Sequence, residues 1–326
     1  MLPSQLSSGD AIADRRVDYA RMLAEAGDLP AAAELVEQAL ELVPSWAAGW
    51  FQLGEYREKN GILGGAVAAY RQVLSLDAED AFGARLKLAL LGAADVPDQP
   101  PSRYVESLFD AYAERFDEAL VEKLEYSVPG KLADMVVGLG PFELAVDLGC
   151  GTGLFGAEIR AVTKRLEGFD LSANMLAKAE QKKIYDHLAQ ADLSLSEAES
   201  GLFDEELPRH RADLVSATDV VMYLGSLETL FPLVRDLLVP GGHFAFSFEE
   251  ATGDQGFELR ESLRYAHSEA YVRELLALHG LETTSVMRTD IRLDRGEPVH
   301  GILFLSRKSL PERTLLRFDE PAAMGR

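Results

Sequence analysis

Seven residues near the middle of the chain constrain its fold more than any others: Asp147-Leu148-Gly149-Cys150-Gly151-Thr152-Gly153. The apolar run that leads into them, Leu144-Ala145-Val146, reads as a buried strand, and residues 154–162 continue with helical spacing. A strand that becomes a helix through glycines lets the backbone approach a ligand and points free N–H groups at it. Gly151-Thr152-Gly153-Leu154-Phe155-Gly156 also satisfies G-x-G-x-x-G, the dinucleotide pattern. Asp147 argues against that reading. A carboxylate beside the first glycine suits a ligand with a cationic amino group and opposes a pyrophosphate.

From this loop onward, strand and helix signals alternate. Strands are expected at 144–148, 166–170, 187–192, 212–218 and 243–248. Helices are expected at 154–162, 172–183, 227–239 and 268–279, with Pro240-Gly241-Gly242 closing the third and Gly280 capping the fourth. Two last strands, near 282–292 and 299–307, flank a polar turn. Alternation of this kind predicts an α/β fold: a mostly parallel sheet covered on both faces and ended by an antiparallel hairpin.

Four segments, in order, carry a resemblance. Asp147 to Gly153 resembles motif I (D-x-G-x-G-x-G) of the class I S-adenosylmethionine-dependent methyltransferases. Gly168-Phe169-Asp170-Leu171-Ser172-Ala173-Asn174-Met175-Leu176 resembles their second-strand end, Ala191-Asp192 the acidic position after strand three, and Leu238-Val239-Pro240-Gly241-Gly242 the turn before strand five. The resemblance covers residues 104–308 and implies a Rossmann-like, seven-stranded sheet with S-adenosylmethionine as cofactor. By the same resemblance, Asp170 bridges the ribose hydroxyls, and Asp192 with the Leu193 N–H meets the adenine. Leu171 and Met175 pack the adenine faces. Asp147, Gly149, Cys150, Gly151 and Gly153 hold the methionine end, and Thr218 joins these contacts at the end of strand four. Plainer readings stand beside these. Asp170 and Ser172 compete as helix N-caps, and Asp192 is also a solvated loop acid. Cys150 is a small residue in a tight loop rather than a nucleophile.

Ahead of this core, residues 104–117 contain Phe-Asp-x-Tyr-Ala-x-x-Phe-Asp, similar to the cap helix of some of these enzymes. Phe109, Tyr112 and Phe116 recur at helical spacing and share one face, an aromatic face suited to a cationic sulfonium. Plain helix packing is the alternative.

The first ninety residues repeat with a period of 34. Gly27 maps to Gly61, Ala32 to Ala66, Ala39 to Val73 and Leu40 to Leu74. Trp50, Leu53, Gly54, Ala66 and Tyr70 are similar to the tetratricopeptide pattern. The first copy is looser, with Arg16 and Tyr19 at the Trp and Leu positions, and Arg57 stands where a tyrosine is usual. A further helix over 81–93 reads as a cap. The organisation expected is helical repeats over 10–93, a proline-rich linker over 94–103, the methyltransferase-like region over 104–308 and a tail over 309–326.

Composition bounds the partners. The formal charge of −22 opposes broad contact with naked nucleic acid. One cysteine excludes a disulfide framework, and no cluster of ligands suggests a metal. No apolar run approaches the roughly 18–20 residues that span a bilayer, and the first residues do not read as a secretory signal. A cytoplasmic protein without membrane attachment is expected. Candidates for a general base are Asp219 and Tyr223 after strand four, Glu249 after strand five, and His267. The acceptor expected is a small molecule or a protein, and the repeats offer a surface for a partner. The rival reading is a repeat scaffold whose methyltransferase-like region binds cofactor without catalysis. A nicotinamide-dependent oxidoreductase is a third.

Overall fold

The computed structural model describes residues 7–116, 127–253, 256–294 and 296–310. Its N-terminal part is built from antiparallel helix pairs, α1 (Ala11–Glu25) with α2 (Leu29–Leu42) and α3 (Ala47–Lys59) with α4 (Leu63–Leu76). The Asp10 carboxylate accepts from the N–H groups of Ile12 and Ala13 and so caps α1. Gly27 and Gly61, 34 residues apart, both turn the chain at positive φ. Small residues set the helix spacing: Ala32 and Ala66 are fully buried, and a side chain at Gly54 would strike the Tyr70 ring at 2.5 Å. Arg57 bridges the two pairs, donating to the Gly65 carbonyl and pairing with Glu37. The capping helix α5 is shorter than its sequence span, Ala84–Leu90. It begins where Asp80, wholly buried, accepts from the N–H groups of Ala84 and Arg85.

The stretch expected to be a linker is tied down. The Pro97 carbonyl accepts from the Tyr265 hydroxyl, and the Asp98 carbonyl from the Ser226 N–H. Its last residues already belong to α6 (Ser102–Tyr112), which a short 3-10 turn extends to Arg115. Asp117, at the end of the expected cap helix, lies outside the described residues.

The C-terminal part is a sheet with helices α7 (Val128–Val136), α8 (Leu154–Ile159), α9 (Ala173–Lys182), α10 (Leu230–Leu237) and α11 (Glu269–Leu278). Strands β1 (Phe142–Leu148), β2 (Thr163–Asp170), β3 (His187–Gln190), β4 (Ala212–Ala217) and β5 (Leu238–Glu250) run parallel in the order β3-β2-β1-β4-β5. Their near-continuous apolar runs follow from burial on both faces; Ala145, Val146 and Leu148 are all inaccessible. At the far edge β9 (Glu297–Lys308) lies antiparallel to β5, and β8 (Leu281–Asp294) antiparallel to β9.

Among the described residues the sheet has nine strands rather than seven. The additional two, β6 (Phe257–Leu259) and β7 (Tyr265–His267), are three residues each and extend the C-terminal end of β5. Other bounds also shift. The third strand stops at Gln190, leaving Asp192 in a loop. The helix expected at 227–239 is only α10, because Leu238 already pairs with Ala212 as the start of β5. Among the described residues no helix is long and apolar enough to cross a membrane. Residues 311–326 of the expected tail lie outside the described residues, while Ser309 is held by the Gly280 carbonyl.

Candidate active site

All the parallel strands deliver their C-terminal ends to one side of the sheet, where open α/β sheets bind ligands. There β1 turns into α8 through Gly149, Gly151 and Gly153, at φ +61°, +55° and +90°. Ordinary side chains rarely adopt this left-handed backbone. At Gly149 space forbids a side chain as well, since a Cβ would lie 2.3 Å from Val220. The loop borders a cavity of about 290 Å³ between the strand ends and α6.

Two acids reach that cavity, one buried and one half-buried. Asp147, 1% exposed at the end of β1, accepts from the hydroxyls of Tyr185 and Ser216 at 2.7 and 2.8 Å. Asp170, ending β2, accepts from the N–H groups of Gly151 and Ser172, both at 2.8 Å. Both partner sets are neutral, so burial raises each carboxyl, to about 6 in either case. Ser172 itself caps α9, its hydroxyl oxygen accepting from the Met175 N–H. Asp192 accepts from the Ser194 N–H and hydroxyl and also lines the cavity, beside half-enclosed Leu171 and buried Leu193. The Thr218 hydroxyl is buried in the wall with no hydrogen-bond partner among the described residues. Cys150 also lines the wall, its thiol pushed well up by burial. That keeps it protonated and unreactive.

From α6, Phe109, Tyr112 and Phe116 close the other side. Phe109 meets the Tyr223 ring edge-on at 4.8 Å. The helix is hooked to the start of α9 through Asp110, which accepts from the Ser172 hydroxyl at 2.6 Å.

Past Val220 the cavity continues between Asp219, Tyr223, Arg264 and Arg292. Asp219 sits at φ +56°, held by a reciprocal pair of hydrogen bonds with Ser247. Burial raises its carboxyl, and Arg292 opposes that. Arg292 pairs with Glu249 and faces Asp219 at 3.6 Å. Arg264 donates to the Tyr223 hydroxyl at 3.1 Å.

Four sequence candidates stand apart from the cavity wall, and Glu249 is one of them, buried and paired with Arg292. Gly153 starts α8 behind the loop, and Met175 is fully buried beneath it. His267 is also inaccessible: one ring nitrogen meets the Gly225 carbonyl, and burial lowers its value to about 4. A neutral, enclosed imidazole outside the cavity is not placed to take a proton there, which corrects its candidacy as a base. Sequence reasoning missed Tyr185, Arg264 and Arg292, which come from loops and strands with no motif of their own. Tyr185 had a faint signal. Side chains at Gly153, Gly156 and Gly168 would meet it at 2.9, 2.2 and 2.8 Å, with Leu188 at 2.7 Å sharing the last site. The last glycine of the apparent dinucleotide pattern therefore makes room for a tyrosine.

The donor set fits S-adenosylmethionine. Two acids with no cationic partner among the described residues suit a ligand bearing positive charge and hydroxyl donors, and the Thr218 hydroxyl, orphaned among those residues, suits a polar atom. Comparison with known proteins points the same way. Residues 146–244 match the family model described as a methyltransferase domain. A malonyl-[acyl-carrier protein] O-methyltransferase of Enterobacter lignolyticus is 30% identical over 142 residues, 44% of this chain and 52% of that protein. The namesake of Serratia marcescens is 26% identical over 55% of this chain and 65% of its own length. The chain thus spans about half to two thirds of these curated relatives. The solved structure of the [4+2]-cyclase SpnF aligns with TM-score 0.50 and 16% identity, over 66% of this chain and 99% of that one. That likeness is one of fold alone. Residues 146–244 thus match a methyltransferase domain, within a Rossmann-like fold whose cradle fits S-adenosylmethionine as cofactor.

Proposed function

We propose that the chain transfers a methyl group from S-adenosylmethionine to a small molecule or a protein-borne group, and that its N-terminal helices recruit the acceptor or its carrier. The observation that carries this reading is the convergence of Asp147, Asp170, Asp192 and the glycine loop on one cavity that continues to a second, differently charged end. When bound, the cofactor supplies a methyl carbon already activated by its sulfonium.

In this reading Asp170 holds the ribose hydroxyls with both oxygens. Asp192 and the Leu193 N–H hold the adenine, against Leu171. Asp147, the Gly149–Gly151 backbone and Thr218 hold the methionine end. Tyr112 and Phe116 shield the cationic centre from water. The chain's chief contribution is to place the acceptor in line with the carbon–sulfur bond. The helix pairs, repeating at 34 residues, support a tetratricopeptide-like role. The malonyl-[acyl-carrier protein] O-methyltransferases are named for an acceptor carried on a protein, which favours recruitment of a protein through those helices.

Calorimetry with S-adenosylhomocysteine tests the premise; no heat of binding from folded protein would remove it. Methyl-labelled cofactor in a fractionated cell extract tests the transfer. Label in a protein band supports a carried acceptor, label in small molecules a free one. Binding without any label favours a non-catalytic scaffold.

A further inference from the structure

Among the described residues four acids line the cavity: Asp147, Asp170, Asp192 and Asp219. In the reading above the first three hold the cofactor, and Asp219 has no task. It follows Thr218, which that reading puts at the methionine end. It precedes Val220, whose side chain leaves no room for a Cβ at Gly149. Its backbone has φ +56°, a region that residues other than glycine rarely enter. Ser247 holds it there. The Asp219 N–H donates to the Ser247 hydroxyl, and that hydroxyl donates back to Oδ1, both at 2.9 Å. Oδ2 faces Arg292 at 3.6 Å, too far for a hydrogen bond. A carboxylate has about four acceptor positions, so this side chain, 14% exposed, keeps room for a ligand's proton.

The surroundings select that ligand. Arg292 of β8 pairs with Glu249 of β5. Arg264, just before β7, donates to the Tyr223 hydroxyl, and Glu249 and Asp219 both reinforce its charge. Two guanidinium groups and two carboxylates therefore balance. An anionic acceptor would meet Asp219 as a like charge, and an ammonium would meet both guanidinium groups. Phe109, Met222 and Leu224 add apolar wall around Tyr223. An uncharged polar group on an apolar body fits.

We propose that Asp219 is a general base and that the group methylated is a hydroxyl, converted to its methyl ether. The proposal rests on the methyltransferase reading and names the substrate class of that site. A hydroxyl keeps its proton at neutral pH and is a weak nucleophile until a base takes it. Burial raises the Asp219 carboxyl, opposed by Arg292, Ser247 and Arg264 and aided by Glu249. A raised carboxyl is a better proton acceptor once ionised. In the step, a lone pair of the hydroxyl oxygen forms the new O–C bond as the C–S bond breaks, its electrons passing to sulfur. The hydroxyl proton moves to the Asp219 carboxylate. Hydroxyl, sulfonium and carboxylate become methyl ether, neutral thioether and carboxylic acid, and the acid then returns its proton to water.

The test uses the full chain and methyl-labelled cofactor in a cell extract. The product should keep its label in mild base and release it as volatile methyl iodide in hot hydriodic acid, as methyl ethers do. Asp219→Asn keeps an oxygen for Ser247 and removes the base. At saturating cofactor it should slow labelling by about 100-fold or more. Its affinity for S-adenosylhomocysteine, by calorimetry, should stay within about twofold, and Asp219→Glu should restore part of the rate. The wild-type rate should rise with pH as Asp219 ionises, above the ordinary carboxylate range, and then level off. Asp219→Asn should lack that limb. Label released as methanol in mild base means a carboxylate acceptor and overturns the proposal, as does label that survives hydriodic acid. So does an Asp219→Asn protein that labels at nearly the wild-type rate, keeps the limb or loses cofactor affinity. Cofactor binding without any label removes the proposal and favours the scaffold. If the unaltered chain binds no S-adenosylhomocysteine, the broader reading falls instead.

Discussion

At Gly149 a methyl group is enough to oppose binding. The backbone is left-handed and the added carbon would lie 2.3 Å from Val220, on the wall that faces the cofactor. Gly149→Ala should weaken S-adenosylhomocysteine binding by about tenfold or more, corresponding to the roughly 1–3 kcal/mol of an overpacked site; unchanged affinity by calorimetry would refute the contact. The neighbouring acids make binding depend on pH. Asp147 and Asp170 both titrate near 6, above the ordinary carboxylate value near 4, because burial disfavours their charge. A cationic, hydroxyl-bearing ligand prefers them ionised. Affinity should therefore rise as pH climbs through about 6 and level off above it. For the ligand-free fold the sign is opposite. A raised carboxyl value stabilises below the unfolded value, and that contribution is lost as pH rises through about 6. Titrations between pH 5 and 8 check the first trend; a flat profile would mean the acids do not face the ligand's charge. These acids were legible because each ends a strand within a local pattern, Asp147 before three glycines and Asp170 before Leu171-Ser172. Arg264 and Arg292 were not, since only the assembled fold brings them to the cavity wall.

Among the elements, the clearest coupling is between the glycine loop, α8 and the segment before β3. Tyr185 fills space left by Gly153, Gly156 and Gly168 and donates its hydroxyl to Asp147. Gly156→Ala would place a carbon 2.2 Å from that hydroxyl. The tyrosine must move, so the change should cost about 1–3 kcal/mol and loosen the brace on Asp147. Denaturant unfolding with parallel S-adenosylhomocysteine titration checks both effects; a wild-type midpoint would show that Tyr185 moves freely. In the helical part, Gly54→Ala meets the Tyr70 ring at 2.5 Å and should cost a similar amount there while leaving cofactor affinity alone. The sequence pattern located the strands β1 to β5, β8 and β9, most plainly where apolar runs are buried on both faces, as in β1 and β4. Strands β6 and β7 are three residues each, too short to show a period. Their pairing comes from the edge that β5 offers beyond its contact with β4, which ends at Phe246.

For the whole molecule, the question is whether helices and sheet behave as one body. The prolines between them suggested a loose join, since proline withholds a backbone donor. A carbonyl remains on every residue, and the structure uses those of Pro97 and Asp98 to bind Tyr265 and Ser226. The Gln99 side chain adds a bond to the Ser226 carbonyl, and the Tyr104 ring of α6 lies against Gly83 at the start of α5. Pro100, Ser102 and Val105 then enter the cavity wall. The join is therefore also part of the cavity wall, and in the proposed reading it covers the cofactor. Gly225 is the place to test this. Its added Cβ would lie 2.4 Å from the Asp98 carbonyl oxygen, and backbone cannot yield as a flexible side chain does. Gly225→Val should displace the segment, lowering cofactor affinity by about tenfold through the roughly 1.4 kcal/mol lost with its cover. The thermal unfolding of the full chain, one transition if helices and sheet are coupled, should separate into two. A single unshifted transition with full affinity would show that the segment only spans the gap. Separation with full affinity would show that it joins the two parts without covering the cofactor.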